Sequence, residues 1–325
     1  MVGIRDIAKH ADVAISTVSY ALNGSPQVSE KTRQRIVKIA NELGYVPNLA
    51  GQNLRKKRTN IIGVYLTNYQ GNFYSEVLEG MLETAKEKGY DLITCSGNRS
   101  RLFLPQGLID GALVLDTHFP DQEIIDYADR GKLIVVMDRK LKHDLVREVL
   151  LDNQAGAEQA VEMLLKEVGE EVYVITGPYD NFDSIERLEA AERMLKTAGM
   201  KYWVVEGDFT EASGFKAMEE IMGGASGDYP ISVFALNDEM ALGVYSYLSG
   251  TSYSLGEDVF LVGFDGIRVT QFTSPTIATI SYSESDWGRI AVETLISLLD
   301  GDKPDNSRIT MRIQAGESLP GSCPA

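Results

Sequence analysis

The chain has 325 residues, 44% of them hydrophobic and 24% charged, too long for one compact core and ordinary for a soluble globular protein of two or three domains. Its net charge of −16 is unevenly spread: residues 1–60 hold ten Lys/Arg against four Asp/Glu, a surplus of +6, and the rest carries −22. Two distant cysteines, Cys95 and Cys323, and only three histidines exclude a disulfide framework and argue against a His-rich metal site, and no apolar run reaches bilayer length.

The first predicted element begins at Ile4. Ile4, Ile7, Ala8 and Ala11 mark one face of a helix and leave Arg5, Asp6, Lys9 and His10 outside. Asp12-Val13 interrupts, and a second short helix follows from about Ile15 to Leu22. Val18, Ala21 and Leu22 make one of its faces, and Ile15, Ser16, Ser19 and Tyr20 the other. Two short helices joined by a tight turn in a basic segment read as a helix-turn-helix, with an ordinary helical hairpin as the alternative. Asn23-Gly24-Ser25-Pro26 is turn chemistry. Ser29 is placed to cap a third helix, Glu30–Leu43, with Ile36, Val37, Ile39, Ala40 and Leu43 on its buried face and Gly44 at its end. Tyr45–Asn48 breaks the pattern, Leu49–Arg55 has the length of one more short helix, and Lys56–Asn60 reads as an exposed connector. A basic head on an acidic body is an orientation device, because only the head can approach a polyanion. Met1 leads directly into a charged amphipathic helix, which predicts a cytoplasmic protein.

From Ile61 the pattern becomes an alternation of strands and helices. Ile61–Leu66 is a β-branched run, followed by a helix over Phe73–Lys88 that ends at Gly89. Strands at Asp91–Thr94, Ala112–Leu115 and Leu133–Val136 follow, with a helix at Asp121–Asp129. Near Val149–Leu151 the series restarts: helix Gln154–Glu167, strand Val172–Thr176, helix Ser184–Ala198, strand Trp203–Val205, helix Glu211–Met222 and strand Ser232–Leu236. Helix Glu239–Leu248, strands Val259–Val262 and Ile277–Ser281, helix Glu284–Leu299 and a last strand Arg308–Ile313 complete it. Continuous Val/Ile runs between amphipathic helices imply parallel strands buried on both faces. Two such α/β halves, joined by several chain crossings, frame a cleft that can close on a small molecule.

The stretch IRDIAKHADVAISTVSYALNG, then VSEKTRQRIVKIANELGYVPN and LRKKRTNIIGV, resembles the DNA-binding head of the lactose/galactose-repressor (LacI/GalR) family. The body is similar to the family's effector-binding core at LLDNQAGAEQA, VITGP, ERLEAA, LNDEMALG and VFLVGFDG. The resemblance implies an all-α helix-turn-helix head on a periplasmic-binding-protein-like core of two doubly wound parallel-sheet halves. The divisions are 1–47 for the head, 48–60 for a hinge helix and linker, and 61–325 for the core. Within the core, one half takes about 61–150 plus 282–306 and the other about 151–277 plus 307–325. One departure stands out: between Ser96 and Asp110 the chain has only NRSRLFLPQGLI where the family commonly places a full helix, which predicts a loop or truncated helix.

The resemblance also assigns residues. Ile15, Ser16 and Tyr20 match the family's base readers, with Thr17, Ser19 and Asn23 near phosphates and Ser29 at the cap of the next helix. Ser16 can hydrogen-bond several bases, whereas Ile15 offers apolar contact, as to a thymine methyl. Tyr20 stands where many members have Arg and cannot make that residue's bidentate fork to guanine. Ala14 replaces the usual Ser at the helix cap. Asn48, Leu54 and Arg55 fall in the hinge, with Leu54 matching a leucine inserted into the minor groove, and Gly51 disfavours a stable helix off DNA. In the cleft the matching positions are Phe73, Tyr74, Asp138, Arg187, Phe209, Asn237 and Asp265, a set suited to a polyhydroxylated ligand. Each has a plainer alternative: Asp265 as a turn former, Asn237 as a helix cap, Phe209 as simple packing. The expectation is a homodimeric repressor of carbohydrate-utilisation genes on a palindromic operator, controlled by a small ligand, a sugar, with no cofactor, metal or membrane partner. An α/β enzyme is the rival from another class, but no G-x-G-x-x-G follows the strand at Ile61 and no Walker loop or nucleophile elbow occurs. A solute-binding component is the other rival, against which the basic head counts.

Overall fold

The computed structural model describes residues 2–46, 58–69, 73–167, 171–224 and 230–319. The chain divides into two compact units, Met1–Arg58 and Thr59–Ala325. The expected hinge, with Asn48, Gly51, Leu54 and Arg55, lies outside the described residues, as do Cys323 and the Phe73 side chain.

The first unit holds α1 (Ile4–Ala11), α2 (Ile15–Leu22) and α3 (Glu30–Glu42) around Ile7, Val18, Val28 and Ile36, with Ala8, Ala11, Ala21 and Ala40 where the helices meet. α1 stops at Asp12, whose φ of 47° is left-handed, a conformation Asp adopts more readily than most side chains. Ser29 Oγ accepts from Thr32 N at the start of α3, whereas Ala14 gives α2 no side-chain cap. Val37, expected in the core, is 38% exposed: Ile36 and Ala40, at i and i+4, occupy the seam and turn it aside.

The second unit contains twelve described strands: β1 (Ile61–Leu66), β2 (Asp91–Cys95), β3 (Gly111–Leu115), β4 (Leu133–Val136), β5 (Val146–Leu151), β6 (Glu171–Ile175), β7 (Lys201–Val205), β8 (Ile231–Ala235), β9 (Val259–Asp265), β10 (Ala278–Ser281), β11 (Ser307–Ile309) and β12 (Arg312–Gln314). They form two six-stranded sheets, in the orders β11-β5-β4-β3-β1-β2 and β12-β10-β9-β8-β6-β7. The first is parallel throughout, and in the second β12 runs antiparallel against β10. β3 and β9 are buried at every residue, as strands covered on both faces must be. Helices α4 (Phe73–Glu87), α5 (Asp121–Asp129) and α10 (Glu284–Asp300) belong with the first sheet. Helices α6 (Asn153–Glu167), α7 (Phe182–Thr197), α8 (Glu211–Gly224) and α9 (Asp238–Leu248) belong with the second.

The chain passes between the sheets three times: after β5, after β10, and between β11 and β12. The last passage corrects the expected strand Arg308–Ile313 and the division at residue 307. Ser307–Ile309 pairs with Val149–Leu151 of the first sheet, and only Arg312–Gln314 pairs in the second. β5 also begins three residues earlier than Val149, because the polar side chains that mask it are turned to loop partners: Arg147 Nε to Pro304 O, and Glu148 Oε1 to Leu141 N. The shortened segment after β2 keeps a single turn of 3₁₀ helix, Ser100–Phe103, in line with the sequence expectation. It is fastened by buried Arg101, which donates to His118 O at 2.6 Å and lies over the Phe119 ring. Where the body begins, Asp110 accepts from Thr59 N at 2.6 Å and Asn60 N at 2.8 Å.

Candidate DNA-reading helix and ligand cleft

On α2, Ile15 is 50% and Tyr20 45% exposed, and Ser16 lies open beside them. A half-exposed isoleucine is not a core residue, so this face is apolar and polar by turns and uncommitted. Thr17 is half-buried. Ser19, expected on the same outer face, is only 7% exposed: at i+1 from Val18 it falls on the edge of the buried seam, where Asn23 Nδ2 donates to its carbonyl at 2.8 Å. The Asn23 amide is therefore occupied in closing the C-terminal turn of α2. Ser29 is likewise engaged in capping α3, and both remain at the surface.

In the body, the C-terminal ends of the strands and the first turns of several helices converge. Asp138 follows β4, Arg187 and Asp183 lie in the first turns of α7, Asn237 caps α9, and Asp265 ends β9. Arg187 is 3% exposed. Its Nε donates to Asn153 Oδ1 at 2.8 Å, its Nη1 to Leu236 O at 2.7 Å, and its Nη2 stands 3.3 Å from Asp265 Oδ1, while the guanidinium lies 3.7 Å from the centre of the Phe264 ring. Asn153 in turn donates to Asp183 Oδ1 at 2.7 Å. An arginine so braced is held in one orientation, with two N–H groups still uncommitted.

Asp265 is a turn former and an ion-pair partner at once. Its φ of 116° is left-handed and strained for a residue with a side chain, and Gly266 follows at 77°. Gly266 has to be glycine, since a Cβ there would collide with Ser281. The two twisted residues aim Gly266 N and Ile267 N at Asp238 Oδ2, at 2.7 and 2.8 Å. Burial raises the Asp265 pKa to about 6, against the lowering pull of Arg187. Burial first, and then the charge of Asp265, hold Asp238 well above the carboxylate range.

Asn237 does cap: its Oδ1 accepts from Met240 N at 2.9 Å and its Nδ2 donates to Phe209 O at 3.0 Å. Phe209, in a left-handed conformation, lies flat against Gly177, where a Cβ would enter its ring. Tyr74 is half-buried, and burial raises its pKa although the Thr67 side chain bonds it. Asp138 has its two oxygens bound by Arg139 Nε and Nη2, at 2.8 and 3.1 Å, yet burial raises its pKa, and the neighbouring charge of Asp183 across the cleft adds to that. Thus Arg187, Asp265, Asn237 and Phe209 are brought together from the second sheet, with Asp138 facing them from the first.

The sequence reading missed Asn153, Asp183, Asp238, Tyr282 and Glu284. Tyr282 OH reaches Asp265 Oδ1 at 3.4 Å, and Glu284 is raised to about 7 by burial, with Glu76 and Asp265 contributing. Asn153 lay within the quoted LLDNQAG stretch, and Asp183 precedes Arg187 by one helical turn, which was the available signal. Beside the cluster a cavity of about 300 Å³ opens between Glu76 and Glu284 on one side and Ile267–Phe272 on the other. A larger open hollow, about 540 Å³, lies between the 141–148 loop and residues 303–306. Its lining is mostly solvated charge, without a buried braced set like that around Arg187.

Comparison with known proteins finds relatives of both parts of the chain. Residues 3–48 match the family model "Bacterial regulatory proteins, lacI family", and residues 161–319 match a periplasmic binding protein-like domain. The ribose operon repressor of Escherichia coli (strain K12) is 31% identical over 309 residues, 91% of this chain and 92% of that protein. Among solved structures, a sugar-binding transcriptional regulator from Enterococcus faecalis is 44% identical, covering 81% of this chain and 98% of its own, with a TM-score of 0.76. The regulator CelR in complex with cellobiose is 28% identical over 98% of this chain and all of its own, with a TM-score of 0.73.

Proposed function

The chain belongs to the lacI family of bacterial regulatory proteins, and on that premise we propose that it is a homodimeric repressor of carbohydrate-utilisation genes whose hold on a palindromic operator is set by a sugar in the cleft. As a member of that family it is a DNA-binding transcriptional regulator with a small-molecule effector, not an enzyme. No described helix is long and apolar enough to cross a membrane. The finer reading is carried by one observation: Arg187 is fixed by Asn153, Leu236 O and Asp265 in a cleft that keeps hydroxyl-accepting carboxylates around it. The sugar-binding names of the E. faecalis and CelR structures support it.

In this reading Ile15, Ser16 and Tyr20 enter the major groove. Ile15 touches a thymine methyl, and Ser16 and Tyr20 hydrogen-bond base edges or phosphates. Thr17, Asn23 and the N-terminus of α3 at Ser29 face the backbone, while the buried Ser19 acts through α2. Asn48, Leu54 and Arg55 form a hinge that folds on the operator, Leu54 wedging the minor groove. The domain division is 1–47, 48–60 and 61–325, with the inner boundary of the body moved to residues 310–311. Phe73, Tyr74, Asp138, Phe209 and Asn237 complete the ligand site around Arg187 and Asp265. Two experiments test the proposal together. Selection from a random duplex library should return a two-fold symmetric site, and a melting screen against sugars should find one that adds about 2.7 kcal/mol at a hundred times its Kd. A protein indifferent to every duplex would overturn the operator, and one indifferent to every sugar would overturn the carbohydrate.

A further inference from the structure

We propose that Lys140 and Glu186 form a latch between the two halves of the body, made when the cleft is closed and broken when it opens, which biases the empty protein toward the closed form. The inference holds whatever the ligand is, because no part of the latch requires one.

The two residues come from opposite halves. Lys140 follows β4 of the first sheet, and Glu186 lies near the start of α7, which belongs with the second. Lys140 Nζ donates to Glu186 Oε1 at 2.6 Å, and the same ammonium stands 5.3 Å from the centre of the Phe182 ring, also on α7. The chain passes between the sheets after β5, after β10 and between β11 and β12, and β4 is none of these passages. Rotation of one half on the other about the passages therefore changes the separation of Lys140 from Glu186.

Each end is fastened to its own half. On the Lys140 side, Arg139 bonds Asp138, Asp121 Oδ1 and the carbonyls of Asp116 and Phe119, and Leu141 N donates to Glu148 Oε1 at 2.8 Å. Lys140 thus leaves from a pinned segment. On the Glu186 side, Asn181 caps the helix, and the next residue, Arg187, is held by Asn153 and Leu236 O. The contact is made or lost by movement of the halves and not by a loose loop.

The burial of the pair is uneven. The Glu186 side chain is 7% exposed and that of Lys140 53%. A carboxylate so enclosed has lost much of its hydration, and the ammonium from the other half restores part of it in the closed form. Opening does not strand the carboxylate. Its Oε2 is 3.4 Å from Nη1 of Arg308, on the passage strand β11, and that Nη1 also donates to Leu151 O at 3.0 Å. Glu186 therefore goes from two cations to one, so the latch biases the equilibrium and does not lock it. A pair with one half-exposed partner shifts the closed-to-open ratio by about three- to fivefold. A ligand that binds the closed cleft gains up to the same factor in apparent affinity, since less of the population has to be moved.

The test is the distance between nitroxide labels on the two sides of the cleft, measured by pulsed electron paramagnetic resonance on the full chain without ligand. Gln122 near the start of α5 and Ala212 near the start of α8 are exposed and follow β3 and β7 of opposite sheets. They take the labels as Gln122→Cys and Ala212→Cys, with Cys323→Ser and the buried Cys95 left in place. The expected result is that Lys140→Met lowers the ratio of short to long distances by about three- to fivefold. Lys140→Glu should lower it further, and Lys140→Arg, which keeps charge and reach, should retain it. In a Glu186→Gln chain, Lys140→Met should have no further effect. A Lys140→Met distribution identical to that of the parent overturns the latch. So does a shift of the same size in the Glu186→Gln chain, because Lys140 would then act through another group.

Discussion

In the proposed function the outer face of α2 and the floor of the cleft each meet a polar partner, yet they are built in opposite ways. Ser16 and Tyr20 stand open with no side-chain hydrogen bond among the described residues, on a helix that lacks a cap. Arg187, Asn153, Asp183 and Asp265 are buried or half-buried and chained together at hydrogen-bonding or ion-pairing distance. A surface that meets a polyanion is helped by the long-range attraction of its surplus charge and keeps its donors in water until contact. A cleft that meets a neutral molecule has no such attraction. It must fix its donors in advance so that little ordering is left for binding.

The widest separation of the two regions should appear in salt. If the +6 head makes six to ten phosphate contacts in the dimer, operator affinity falls by ~10³–10⁵ between 50 and 200 mM salt. Sugar affinity should stay nearly flat over the same range, measured by calorimetry on the same preparation. A flat operator curve would erase the contrast. Next in size is Arg187→Ala. It strands Asp265 and Asn153 in a buried site and should cost ~3–5 kcal/mol of body stability as well as the sugar response. Its operator affinity, measured well below the melting temperature without sugar, should hardly change if the sugar releases DNA. If the sugar is instead required for binding, the mutant should fail at the operator even with sugar present. A normal sugar response would take Arg187 out of the site.

pH gives the third. Asp265 and Glu284 sit at about 6 and 7, above their unfolded values, so the folded chain holds the extra protons. The stability they contribute is complete below about pH 4 and is lost as pH rises through 6 and then 7. Asp265→Asn should flatten that decline by something on the order of 2 kcal/mol between pH 5 and pH 8, read by denaturant unfolding. A mutant profile parallel to wild type would mean that Asp265 titrates normally. The smallest effect belongs to the head. Ala14→Ser supplies the missing cap and should stabilise α2 by ~1 kcal/mol, about fivefold in the hydrogen exchange of its amides, with no change in the cleft. Unchanged exchange would show that packing on Ile7 and Ile36 already holds the helix start.

The sequence by itself determined what is local: the helix breaks at Asp12 and Gly44, the cap at Ser29, the buried runs of β1, β3 and β9, and the truncated segment at Ser100–Phe103. Periodicity and turn chemistry report these because each depends on residues within a turn or two. It also pointed to Arg187, Asp265 and Asn237 as cleft candidates through their stretches' resemblance to a known family. What it did not reveal was which element each face meets. Arg308–Ile313 looked like one strand, because alternation says nothing about which sheet supplies the hydrogen bonds, and Val149–Leu151 and Thr279–Ser281 divided it between them. Ser19 and Val37 were misplaced because a helical wheel gives an angle, and the neighbouring helix decides how wide the buried arc is. The partners of Arg187 lie 34, 49 and 78 positions away in the chain, and the protonation of Asp265 and Glu284 is set first by burial and then by charges arriving from both sheets. Those are properties of desolvation and distance, and only the folded chain sets either.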